Sequence, residues 1–208
     1  MNFPDMIIPI YHSDIESRNN KFVSGSFFQS DEDGKWCGKG MYFWDNIANA
    51  KYWKKRKESS NRDDSGVAIS IARASLVCSQ AELLDLTDVD VGKSLKVAGI
   101  LFAKKYGITL NLHNNGNVIN FVHDAMTREN LNSEREELPY PTIFSVVKMA
   151  GRYPYNTKGL IGGNDHGGNF PAATTQIRMI YAVRDESLVQ RRSIIDPTKE
   201  EISNDFSF

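Results

Sequence analysis

The chain is 208 residues long, carries 25 Lys and Arg against 26 Asp and Glu, and has a formal net charge of -1 at pH 7. That length suits one sizeable domain able to bury a core without disulfides, and the charge balance gives no global electrostatic reason to bind nucleic acid. There is no basic region ahead of an apolar stretch and no apolar run long enough to span a bilayer. The two cysteines, Cys37 and Cys78, show neither zinc nor redox spacing, so we expect a soluble, cytoplasmic protein with no membrane contact and no metal.

Met6 to His12 reads as a first strand, with Pro9 directing it to a sheet edge or a strand start. It runs out in His12-Ser13-Asp14. The polar segment from Glu16 to Lys35 holds Phe22, Phe27 and Phe28 and is expected to pack as a helix or loop. Gly38-Lys39-Gly40-Met41-Tyr42-Phe43-Trp44-Asp45-Asn46 then joins a tight glycine turn, an aromatic strand and a helix start. The glycines permit backbone conformations or close approaches that a side chain would block, and Asp45 or Asn46 can cap the helix beginning near Ile47. On that helix Lys51, Lys54, Lys55, Arg56 and Lys57 read as a solvated face.

A turn at Asn61 to Gly66 precedes a strand from Val67 to Ile71, and Leu83 to Asp88 forms a second apolar edge closing on a helix cap. Leu95, Ala98, Phe102 and Lys105 predict a helix between Val91 and Tyr106. Val118, Phe121, Val122, Ala125 and Met126 predict another, capped by Asn117, with His123-Asp124 on its polar side. Thr142 to Met149 is strand-like. Gly151 to Thr175 is a glycine-rich connection long enough to be a lid or binding loop, and it carries Tyr155, Asn164, Asp165 and His166. Gln176 to Asp185 reads as a strand, and the polar tail over 196–208 is expected to be partly disordered. No repeat or linker divides the chain, so 1–208 is taken as one domain.

Taken singly, Tyr42 fits a core aromatic, His12 a satisfied structural histidine and Gln176 a surface residue. Their order carries more than any one of them. A strand ending in Tyr11-His12, the unit Gly38-x-Gly40-Met41-Tyr42-Phe43-Trp44 with its following Ala-x-x-Trp helix, and Gln176-Ile177 ahead of Val183-Arg184-Asp185 together resemble the ADP-ribosyltransferase fold. The likeness is to the His-Tyr-Glu branch shared by diphtheria-toxin-like and poly(ADP-ribose)-polymerase-like enzymes, and closest to small stand-alone bacterial members. It is patchy and spans roughly His12 to Ile195.

The resemblance implies an α+β fold with a split β-sheet core and flanking helices, and NAD as co-substrate. It implies that His12 bonds a ribose hydroxyl, that Tyr42 stacks on the nicotinamide ring with Gly40 beside it, and that Gln176 stands in the usual glutamate position. Ser13 occupies the place of a glycine whose backbone holds the nicotinamide amide. Cleaving the bond from nicotinamide to ribose leaves an oxocarbenium-like sugar, which an aromatic clamp and a hydrogen-bond acceptor can steady. Gln176 can accept that bond but cannot take a proton, so the acceptor is expected either to need little help losing its proton or to be activated by a neighbour such as Asp165, His166 or Glu186. Arginine is a poor acceptor here, because its guanidinium stays protonated and Thr174 stands where arginine-specific relatives place a second acid. The expected partner is a macromolecular acceptor, protein or nucleic acid, selected by the loop bearing Tyr155, Asp165 and His166. By analogy with similar small proteins, a toxin or defence role with an antitoxin partner is also expected. Two alternatives stand beside this reading: an RNA-binding module using residues 39–57, and a degenerate transferase fold that only binds NAD.

Overall fold

A computed structural model describes residues 5–30, 36–60, 67–133, 138–152 and 177–196. The described strands are β1 (Met6–Ile15), β2 (Met41–Trp44), β3 (Ile69–Cys78), β4 (Leu83–Asp85), β5 (Val146–Arg152), β6 (Ile177–Val183) and β7 (Val189–Ile195). The helices are α1 (Glu16–Val23), α2 (Ile47–Ser60), α3 (Val89–Tyr106) and α4 (Asn115–Leu131). The strands form one seven-stranded sheet in the order β4-β5-β6-β2-β1-β3-β7, antiparallel throughout except for the parallel pair of β4 and β5. The fold is therefore α+β, as expected from the sequence.

The sheet is divided unevenly. β1 pairs with β3 at every residue, from Met6 opposite Cys78 to Ile15 opposite Ile69. With β2 it shares a single pair, Tyr11 opposite Trp44. β2 is meanwhile zipped to β6 along its whole length, Met41 opposite Val183 through Trp44 opposite Ile180. Two well-paired halves thus meet at one thin seam.

Each face of the sheet is covered. α1 lies on one side, where its Phe22 is buried with Ile10, Met41, Phe43, Leu76 and Val183. On the other side Ala50 of α2, Phe102 of α3, and Val118, Ile119 and Val122 of α4 enclose Tyr11, Trp44, Val147 and Ala182. No described helix is long and apolar enough to cross a membrane.

Helix ends follow the local chemistry. Asn46 Oδ1 accepts from Asn49 N at 2.9 Å and starts α2, while Asp88 accepts from Asp90 N at 2.8 Å and starts α3. Gly107, at φ 65°, ends α3 in the left-handed conformation that terminates many helices.

Four expectations are corrected. Pro9 is not at an edge, because β1 lies inside the sheet. β2 ends at Trp44, opposite Tyr11, so on that side Pro9 has no ladder to interrupt. The last long helix starts at Asn115 with Asn114 at its N-cap, which places Asn117 inside it. β3 runs from Ile69 to Cys78, well past the short strand expected to end at Ile71, and β5 begins at Val146 rather than Thr142. β7 carries no clear alternation in sequence because Arg191, at φ 52°, interrupts it, and the register against β3 shifts between Arg73 and Ser75.

Candidate functional site

Successive side chains on a strand point to opposite faces, so β1 presents His12 and Asp14 on one face and Ser13 on the other. The His12 ring sits against Phe22 and Phe43, with centroids 6.3 and 5.6 Å away, whereas Ser13 Oγ donates to Ala50 O of α2 at 2.8 Å. At the thin seam between β1 and β2 a cleft of about 400 Å3 opens. His12, Ser13, Asp14, Tyr42, Trp44, Trp53 and Lys57 line it, together with Gly40, Arg18 and Ile180.

His12 is tied across the seam by its Nδ1, 2.6 Å from Tyr42 O. A carbonyl oxygen only accepts, so Nδ1 carries the hydrogen and the other ring nitrogen faces Asp14. Asp14 is buried, and its Oδ1 accepts from Lys57 Nζ at 2.7 Å and from Ile15 N at 2.9 Å. Its Oδ2 lies 3.4 Å from His12 Nε2 and 3.5 Å from Arg18 Nη1. Burial raises the pKa of this carboxyl, but the His12 and Lys57 side chains beside it more than reverse that and hold it well below the usual carboxylate range.

Tyr42 is half-buried, and its hydroxyl donates to Gly38 O at 2.7 Å. The turn it grips is clamped from behind. Asn120 Oδ1 of α4 accepts from Lys39 N at 2.8 Å and from Arg184 Nη2 at 2.6 Å. Both glycines of the turn are required. A Cβ on Gly38, at φ 75°, would lie 2.3 Å from Asn120 Oδ1, and one on Gly40, at φ 145°, would lie 2.9 Å from Val183 O. Trp44 and Trp53 extend the aromatic wall with their rings 5.7 Å apart.

A second, more open cavity of about 740 Å3 shares Arg18 and Phe28 with the cleft, and the Arg18 guanidinium lies 4.7 Å from the Phe28 ring centroid. His123, Arg184 and Glu186 also line it. Burial, then the nearby Arg184 charge, pushes the His123 pKa down. Glu186 pairs with Arg192 at 3.1 Å and is absent from the cleft lining. His123 does not face solvent as its place on a polar helix side implied: it is half-buried and edge-on to Phe144, 5.3 Å between centroids.

No family model matches the chain, and no curated protein or solved structure matches it either.

Of the residues singled out from sequence, His12, Ser13, Gly40 and Tyr42 come together in the cleft. Gln176, Tyr155, Asp165 and His166 lie outside the described residues. The β6 side chain that lines the cleft is Ile180. Sequence reasoning passed over Asp14, Arg18 and Lys57. Asp14 was findable, since period-two alternation places it beside His12. Lys57 also corrects the reading of its helix as a solvated cationic face: it turns inward to Asp14, and Lys54 donates to Ile69 O at 2.6 Å, while Lys55 and Arg56 are exposed.

Proposed function

We propose that this protein cleaves NAD and transfers its ADP-ribose to a macromolecular acceptor, protein or nucleic acid, releasing nicotinamide. The observation that carries the reading is the convergence of His12 and Tyr42, far apart in sequence, in one cleft at the single-pair seam of the sheet. The character of its lining supports that reading. Tyr42, Trp44 and Trp53 offer faces for a planar ring, His12 and Asp14 offer polar groups for sugar hydroxyls, and Arg18 and Lys57 bring cations for phosphate. The volume is also in the range of small-molecule sites.

In this reading Tyr42 clamps the nicotinamide ring while the bond between ribose C1′ and the ring nitrogen breaks. The bonding electrons leave with nicotinamide, neutralising its pyridinium charge, and the positive charge passes to the sugar. The acceptor's lone pair then forms the new bond at C1′, and its proton is lost to a base or to water. His12, held by Tyr42 O, fixes the ribose so that the ring and the sugar cation stay aligned. A toxin or defence role would follow from modification of an essential acceptor.

The degenerate-fold alternative has a specific observation in its favour: the Ser13 hydroxyl is committed to Ala50 O, on the face away from His12. The RNA-binding alternative is less well served, because Met41 and Phe43 are buried and offer no stacking platform. Incubating the protein with NAD labelled in the adenosine half, with cell extract, separates the readings. Label on protein or nucleic acid together with free nicotinamide is the expected result. NAD binding without nicotinamide release would leave the binding-only fold, and no NAD binding would remove the proposal.

A further inference from the structure

A guanidinium withdrawn from water needs a counter-charge close by. Arg184, the residue that follows β6, has no carboxylate within ion-pair reach among the described residues. It is half-buried, and its Nε is sealed from solvent without a hydrogen-bond partner. Its Nη2 donates to a neutral oxygen, Asn120 Oδ1, at 2.6 Å, and the Phe144 ring centroid lies 5.8 Å from the guanidinium carbon. Arg184 lines the cavity of about 740 Å3 together with Ser145, His123 and Arg18. Its backbone N donates to Ser145 O at 2.8 Å, which holds these two residues side by side at the ends of β5 and β6. The acids lining the same cavity are already engaged, Glu186 with Arg192 at 3.1 Å and Asp185 with Ser187 N at 2.9 Å. Burial first, then the charges of Arg184 and Lys39, push the His123 pKa down despite Asp124 beside it, so positive potential prevails at this wall.

We propose that this cavity is a binding site for a phosphate group, with Arg184 supplying the neutralising charge and the Ser145 hydroxyl a donor beside it. Phosphate fits better than a carboxylate. A carboxylate has two oxygens, both taken by one planar guanidinium fork, whereas a phosphate keeps a further oxygen for the hydroxyl. The cavity is larger than a lone ion needs, which leaves space for the rest of a phosphate ester along Phe27 and Phe28. The source is either free phosphate or a nucleotide, and the shared chemistry is the phosphate itself. The site stands apart from the cleft, since His12, Tyr42 and Lys57 line the cleft alone and Arg184 lines this cavity alone. The inference therefore goes beyond the NAD reading and does not rest on it.

Titration calorimetry at constant ionic strength tests it, with inorganic phosphate, uridine 5′-monophosphate, uridine and acetate as the probes. Wild-type protein is expected to bind phosphate about tenfold or more tighter than acetate, the worth of a further charge-assisted hydrogen bond. Tighter binding of the nucleotide than of phosphate names a nucleotide as the source, and equal binding names free phosphate. In Arg184→Met the phosphate affinity should fall about tenfold or more, and Arg184→Lys, which keeps the charge without the fork, should recover part of it. Lys57→Met removes a cation from the cleft alone and should leave the affinity unchanged. Melting curves verify that each variant is folded, and the wild-type comparison needs none of them. Absence of phosphate binding, acetate bound as tightly as phosphate, or uridine bound as tightly as its monophosphate each overturns the site. So does an affinity retained in Arg184→Met, and its loss in Lys57→Met at the same time would place the anion in the cleft. No NAD is present in these titrations, so the NAD reading stands or falls on its own assay.

Discussion

β1 is held on its two sides in opposite ways. Toward β3 it is paired along all its residues, from Met6 to Ile15. Toward β2 it has one pair, and beyond that pair the link is a side chain, His12 Nδ1 to Tyr42 O. A full ladder satisfies the backbone and leaves no room for a ligand. An interrupted ladder frees polar groups, which need either water or a bound molecule. On the proposed reading stability belongs to one seam and chemistry to the other, a division that experiment can break. The largest expected effect is at the open seam: His12→Ala and Tyr42→Ala should each lower the rate of nicotinamide release by about 100-fold or more, because the reacting groups are no longer held in place. Release is followed by chromatography on protein whose circular dichroism is unchanged. Wild-type rates in both variants would mean that the cleft is not where the bond breaks.

The closed seam should respond in the reverse sense. Leu76 on β3 is paired with Ile8 and fully buried, so Leu76→Ala should destabilise the fold by about 2–5 kcal/mol in urea unfolding. Turnover per folded molecule should be unchanged. A large loss of turnover with little loss of stability would show that the two seams are coupled rather than divided in their roles.

Much of the fold was legible because hydrophobic spacing and capping residues act locally. The α3 pattern, the Asn46 and Asp88 caps and the Gly38–Gly40 turn all read directly from neighbouring residues. Pro9 misled because tolerance of a proline depends on where the neighbouring strand stops, which is information held by Trp44 far along the chain. β7 was missed because the left-handed Arg191 breaks the alternation that marks a strand. Motif order singled out His12 and Tyr42, which line one cleft, whereas nothing in the sequence singled out Arg18 and Lys57. A long cationic side chain on a helix gives no sequence sign of whether it faces water or a buried carboxylate, and for Lys57 the tertiary pairing with Asp14 decides it.

A subtler test sharpens the contrast from behind the cleft. Asn120 Oδ1 serves both Lys39 N and Arg184 Nη2, so Asn120→Ala leaves two donors without that acceptor. Destabilisation of about 1–3 kcal/mol is expected, within the range for breaking hydrogen bonds that include a charged group. Because the turn also holds the Tyr42 hydroxyl, KM for NAD should rise more than kcat falls. Asn120→Asp keeps an oxygen acceptor opposite Arg184 and should restore both. If Asp fails to rescue KM, the clamp is not what positions Tyr42.

The smallest effect is a pH dependence confined to the open seam. The pKa of Asp14 in the folded protein lies below its ordinary value of 3.8, because His12 and Lys57 outweigh the effect of burial. Above that value the carboxyl is ionised in both the folded and unfolded chains, and its stabilising contribution is fully present. As the pH falls below 3.8 the unfolded chain takes up the proton first, so stability declines progressively toward the depressed folded pKa. Asp14→Asn cannot titrate at this position and should lack that portion of the decline. The difference between wild type and variant, measured by urea unfolding from pH 5 downward, should therefore shrink as acid is added, by about 1–2 kcal/mol in all. Other carboxylates, such as Asp85 beside Lys148, titrate in both proteins and cancel in the difference. Hydrogen exchange locates the loss: amides around the Tyr11 and Trp44 pair should open before those of the β1 and β3 ladder. Simultaneous opening of both would show that Asp14 braces the whole sheet and not the cleft alone.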